Sequence, residues 1–132
     1  MVQLTRGNFC TIVGLPTMLS DFAQLFRNVT ATVYYDTTFS MGDFCVSCLL
    51  YRNPVFENKP VMPLLMLVHE RRTTESHELL FEWFIKLTKV SSVVCVADRD
   101  QSITNAVLKT FPSSTMVYSW NHIIGDVRVC WD

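Results

Sequence analysis

Residues Ser91–Val107 read SSVVCVADRDQSITNAV. Val93 to Ala97 has the length and the β-branched, apolar make-up of a strand buried on both faces, and Ile103, Ala106 and Val107 then recur at helical spacing. A strand that runs almost directly into a helix sets Asp98 at its carboxyl end, the place where open α/β sheets bind ligands. Asp100 has a plainer role available, since an Asp just before a helix accepts hydrogen bonds from the first free backbone N–H groups. Asp98 is not explained that way.

Working outward, the helix spans Gln101 to Phe111 and stops at Pro112, after which Ser114–Tyr118 (STMVY) reads as a strand. Trp120 onward (WNHIIGDVRVCWD) reads as the start of a helix or an extended arm. Upstream lies ESHELLFEWFIKLTK, with Leu80, Trp83, Phe84 and Leu87 on one helical stripe. Glu75 and Glu78 lie near its start and Lys86 and Lys89 near its end, as the helix dipole prefers. Before it come three strands, Thr30–Phe39 (TATVYYDTTF), Phe44–Arg52 (FCVSCLLYR) and Val61–His69, the first two joined by a turn at Ser40–Asp43. Three successive strands predict an antiparallel meander. Asn8–Val13 is a further short strand, and Pro16-Thr17 opens a helix with Met18, Phe22, Leu25 and Phe26 on one stripe. The chain is thus expected to be an α/β protein. A strand-helix extension (1–29) would pack on a core (30–132) of order β-β-β-α-β-α-β.

The chain has 132 residues, enough for one domain. With 49% hydrophobic and 17% charged residues and a mean hydropathy of +0.23, it is more apolar than an average domain. It should build a real core and leave apolar surface through which copies could associate. Phe44, Phe81, Phe84 and Trp131 are candidates for either place. A net charge of −1 provides no global basic field for nucleic acid or anionic membranes. The run Val61–Val68 is far short of the roughly 20 residues that span a bilayer and contains Pro63, so no membrane partner is expected. Five cysteines and an N-terminus unlike a secretory signal point to free thiols in a reducing, intracellular compartment.

The first strand of the meander can lie beside the strand that follows the long helix, joined by crossover connections. Asp36, in YYDTTF, would then converge with Asp98 from its neighbour. Facing buried carboxylates repel, so such a pair takes up a proton or a divalent cation, and metals held by carboxylates suit in-line phosphoryl transfer. The other arrangement open to these residues has Asp36 facing solvent and Asp98 capping the helix in place of Asp100.

From Tyr34 to the C-terminus the chain resembles the RNase H-like transposase core of Mutator-like (MULE-type) elements and their transposon-derived relatives. The resemblance rests on YYDTTFSMGDFCVSCLLYRNPVF, PVMPLLMLVHERRTTESHELLFEWF, VADRDQSITNAVLKTFP and YSWNHIIGDVR, in the family's order and spacing. It implies a mixed five-stranded sheet, a three-strand antiparallel meander plus parallel strands, flanked by helices. It also implies that Asp36 and Asp98 are the first two members of a DDE triad, holding Mg²⁺ or Mn²⁺ for DNA cleavage and strand transfer in the nucleus. Two departures accompany it. The family's Cys-x-x-His signature has Ser119 at the Cys position, with His122 retained. The third acid, which the family takes from a helix well downstream, has no counterpart before Asp132, and Asp126 does not match its position. These departures predict a truncated or domesticated core, inactive alone, and leave open a non-catalytic module that serves assembly or contacts a DNA partner. A third reading takes Asp98-Arg99-Asp100 as the D-x-D of a glycosyltransferase-like domain, which leaves YYDTTF unexplained.

Smaller signals point to structure. Cys45-Val46-Ser47-Cys48 is a CxxC inside a strand, where residues three apart face opposite sides, so structural thiols are expected. His69 and His77 are not an HExxH pair; His69 should end a strand and His77 sit on a helix surface. Arg71, Arg72, Lys86 and Lys89 are either phosphate contacts or a solvated loop and helix end.

Overall fold

The computed structural model of the chain describes residues 2–5, 8–41, 44–70 and 74–118. Within them the order is β1 (Val2–Thr5), β2 (Asn8–Gly14), α1 (Pro16–Leu25), β3 (Ala31–Met41), β4 (Phe44–Arg52), β5 (Val61–His69), α2 (Thr74–Thr88), β6 (Val93–Ala97), α3 (Gln101–Thr110) and β7 (Thr115–Tyr118). The fold is α/β, with a mixed open sheet and helices. The expected segment from Trp120 onward lies outside the described residues.

The sheet has seven strands among the described residues, in the order β1-β2-β5-β4-β3-β6-β7, instead of the five expected. The meander is there: β3 pairs antiparallel with β4, and β4 with β5. On its other side β3 pairs in parallel with β6, and β6 with β7. The two additional strands come from the N-terminal segment. β2 pairs antiparallel with β5, Cys10 opposite His69 and Ile12 opposite Leu67, and β1 closes on β2. Without β2, the apolar β5 would be a bare edge with unpaired backbone groups, which native sheets avoid. Pro63 is tolerated in β5 because the β4–β5 register slips there, Leu49 pairing with Leu65 but Leu50 with Pro63.

Strand alternation divides the sheet into two faces. Ala31, Val33 and Tyr35 of β3, Leu49 and Tyr51 of β4, Leu65 and Leu67 of β5, and Val93, Cys95 and Ala97 of β6 are buried. They share one core with Leu19 and Phe22 of α1, Leu80, Phe81 and Phe84 of α2, and Ile103, Ala106 and Val107 of α3. Edge-on aromatic contacts tie the layers: Phe22 to Tyr51 at 5.2 Å, Phe22 to Phe84 at 5.5 Å and Phe81 to Phe111 at 5.5 Å. Each such pair adds about 0.5–1.5 kcal/mol beyond the area it buries.

The opposite face, with Tyr34, Cys48, Leu50, Val68, Val94 and Val96, is only half-buried. The expectation that Val93–Ala97 is buried on both faces therefore holds for one face alone. Of the aromatic candidates, Phe81 and Phe84 are core and Phe44 is half-buried, while Trp131 lies outside the described residues. α2 also turns differently from its expected stripe, since Leu87 is exposed and Phe81 takes the buried place. It ends without glycine: Lys89 adopts a positive φ of 62° and its N–H reaches the Ile85 carbonyl at 2.8 Å.

Candidate active site at the ends of the central strands

The parallel pairing of β3 and β6 runs in register from Ala31 opposite Val93 to Tyr35 opposite Ala97. One residue further on, β3 carries Asp36 and the chain leaving β6 carries Asp98. Tyr35 and Ala97 point into the helical layer, so alternation turns Asp36 to the opposite, half-buried face. Asp36 and Asp98 are both half-buried, and one carboxylate oxygen of each is withdrawn from solvent.

The neighbours of Asp36 are defined. Cys48 of β4 is its register partner. Burial pushes the Cys48 thiol up, and the Asp36 charge pushes it further. Cys10, Cys45, Cys48 and Cys95 are free thiols. Burial drives the Cys95 thiol up to about 12. The CxxC thus supplies two half-buried thiols inside a strand.

Asp100 is the helix cap. Its carboxylate accepts the Ser102 N–H at 2.9 Å and the Ser102 hydroxyl at 2.6 Å. Burial alone would raise its pKa. The hydrogen bonds from Ser102 and Ile103 and the attraction of His77 outweigh burial and hold it below the ordinary carboxylate value. Asp98 therefore does not cap α3.

Behind Asp36, on the core side of the sheet, lies a buried polar chain that the sequence reading missed. Thr37 Oγ1 and Ser47 Oγ are 2.9 Å apart, and Ser47 Oγ lies 3.0 Å from His69 Nε2. The His69 ring meets the His77 ring edge-on at 5.5 Å, and Tyr35 OH lies 2.6 Å from His77 Nδ1. Burial pushes the Tyr35 phenol far up, against a smaller opposing effect of its hydrogen bond with Ser47. The phenol is therefore protonated and shares this hydrogen bond with His77 Nδ1, the His77 proton arrangement setting its direction. His77, expected on a helix surface, is instead 1% exposed. The only available signal was parity: Tyr35, Thr37, Ser47 and His69 all occupy core-facing positions of their strands.

No protein-family model and no curated protein matches the chain.

The donor chemistry of Asp36 and Asp98 suits a hard divalent cation, which takes carboxylate oxygens. Among the described residues no group of three His, Cys, Asp or Glu side chains could hold a metal ion, so in a metal-binding reading Asp36 and Asp98 would be the two ligands these strands offer. His122, Ser119, Asp126, Arg71 and Arg72 lie outside the described residues. Lys86 is exposed and stacks over the Trp83 ring at 4.5 Å, and no helix of the described residues is long and apolar enough to cross a membrane.

Proposed function

We propose that the chain is an RNase H-like core of a MULE-type transposase, or of a transposon-derived relative, whose ancestral activity is metal-dependent cleavage and transfer of DNA strands. The observation that carries this reading is the placement of Asp36 and Asp98 one step past the aligned end of two parallel central strands. Support also comes from the strand order, a meander whose first strand lies beside the strand following α2. Asp36 and Asp98 would hold Mg²⁺ or Mn²⁺, which when bound polarises the attacking water or DNA 3′-hydroxyl and stabilises the leaving oxygen. The chain's own contribution is to fix the two carboxylates. Tyr35 and Thr37, on either side of Asp36, are anchored to α2 and β4 by buried hydrogen bonds. DNA is the partner and the nucleus the compartment in this reading.

A non-catalytic module that assembles with itself or with a DNA partner is the second reading, favoured by the two-ligand count and by the half-buried apolar face around Asp36. The D-x-D reading is disfavoured because the Asp100 carboxylate is engaged by Ser102. The deciding experiment is residue-resolved NMR broadening by Mn²⁺. Broadening centred on Asp36 and Asp98, lost in Asp36→Asn and retained in Asp100→Asn, supports the transposase reading. Absence of localised broadening moves the function to the binding module, and loss in Asp100→Asn alone revives the D-x-D.

A further inference from the structure

A second site lies on the helical side of the sheet, away from the Asp36 face. α1 rests on the core through Leu19 and Phe22, but along its flank toward α2 it carries Pro16, Ser20, Ala23 and Gln24, spaced as one helical stripe, with Arg27 just past its end. These side chains are too small or too polar to close on Trp83 and Leu87 of α2. The gap is a cavity of about 740 Å³, floored by Ile12 and Leu65 and walled by Leu19, Trp83, Leu87 and Val90. Its floor is fixed: a Cβ on Gly14 would lie 2.5 Å from Leu65 Cδ2 and 3.2 Å from the Leu64 carbonyl, so the chain passes there without a side chain.

The size falls within the roughly 300–1,000 Å³ of small-molecule sites. The lining follows α1 from Pro16 to Gln24, roughly 12 Å by helical rise, and continues to Arg27 past its end, so the space is elongated. Its charge is one-sided. Arg27 and Lys89 are exposed at the rim, none of the lining residues is acidic, and neither cation has an ion-pair partner among the described residues. A guanidinium beside an apolar trough suits a carboxylate that it can bind with two parallel hydrogen bonds.

We propose that this cavity binds a linear apolar carboxylate of fatty-acid type, with the chain lying between α1 and α2 and the carboxylate at Arg27 and Lys89. Trp83 and Leu87 cover the chain, and the Gln24 amide supplies a further donor along α1. The site is independent of Asp36 and Asp98 and operates whether or not the chain binds DNA.

The test is an NMR titration of the whole chain with dodecanoate, set against dodecyltrimethylammonium. Saturable shifts centred on Ala23, Leu65 and the Trp83 indole N–H, with the cation at least tenfold weaker, support the proposal. Arg27→Gln combined with Lys89→Asn should weaken dodecanoate about three- to tenfold; Asn suits the positive φ at 89. Ser20→Trp, at an exposed lining position, should abolish binding while leaving the spectrum of the β-sheet intact. Equal binding of the cation overturns the proposal, as do shifts centred on Val94 and Val96 of the opposite face, or binding that survives Ser20→Trp.

Discussion

Replacing Tyr35 by Phe removes one oxygen from the buried chain behind Asp36 and almost no volume. Tyr35 and His77 are each 1% exposed, and their hydrogen bond is 2.6 Å long. The loss of the bond itself costs about 0.5–1.5 kcal/mol. His77 Nδ1, left in the core without the phenol, adds a desolvation cost of about 1–3 kcal/mol. The expected destabilisation is about 1.5–3 kcal/mol, since local relaxation recovers part of that total. In urea, with a slope of roughly 1–3 kcal/mol/M, the midpoint should fall by about 1 M with the slope unchanged. A double-mutant cycle isolates the contact. His77→Leu should be destabilising alone, but Tyr35→Phe should cost less in the His77→Leu background than in the parent, because only the Ser47 contact of the phenol then remains to be lost. A Tyr35→Phe midpoint within experimental error of the parent, or strictly additive single effects, would refute the role assigned to this pair.

Three further outcomes follow from the geometry. Asp100→Ala should destabilise by about 1 kcal/mol through loss of the α3 cap, and Asp100→Asn by much less, both read by thermal melts. Because the folded-state pKa of Asp100 is lowered, its carboxylate contributes stability above the unfolded value, and that contribution disappears as pH falls through the folded value; the gap between the parent and Asp100→Ala should therefore narrow below roughly pH 4. At Cys48, Asp36→Asn removes the charge that opposes the thiolate, so iodoacetamide labelling of Cys48, followed by peptide mass mapping at pH 8, should speed up while that of Cys95 stays slow. Gly14→Ala should cost about 1–3 kcal/mol, since the new methyl must displace Leu65 against a fixed carbonyl; an unchanged melting temperature would show that the β2–α1 junction gives way freely.

The elements that carry period-2 or period-3.6 patterning were legible in the residues. FCVSCLLYR and the Val61–His69 run form strands with the bounds read from the sequence, and Asp100 caps α3 as its position before the helix predicts. What escaped the sequence is non-local. β2 reaches the sheet by pairing with β5, more than fifty residues away, and β1 then pairs with β2; nothing within NFCTIVG says which edge it will join. The buried His77 escaped for a related reason. On α2 a histidine near the N-terminus, among Glu75, Glu78 and Glu82, reads as surface, and only the phenol of Tyr35 across the layer makes its burial tolerable. The five-stranded estimate and the surface histidine thus failed through the same cause, partners supplied by distant segments.

The three aspartates differ in what holds them. Asp100 has its hydrogen bonds from Ser102 and a lowered pKa, so its position is explained by the helix it starts. Asp36 sits in the middle of the sheet with buried residues on both sides of it in sequence, and moving it by one position would put its carboxylate in the aromatic core beside Phe81. Alternation alone keeps it on the half-buried face. There it lies beside a thiol it disfavours ionising and, by register, at the level of Asp98, on a strand held from behind by Tyr35 and Thr37. A hard divalent cation takes carboxylate oxygens, and in the proposed reading it would sit at the ends of β3 and β6. The sheet anchors both flanks of Asp36 in its core, through Tyr35 on His77 and Thr37 on Ser47, which is the rigidity a cation ligand would need if the proposed reading holds.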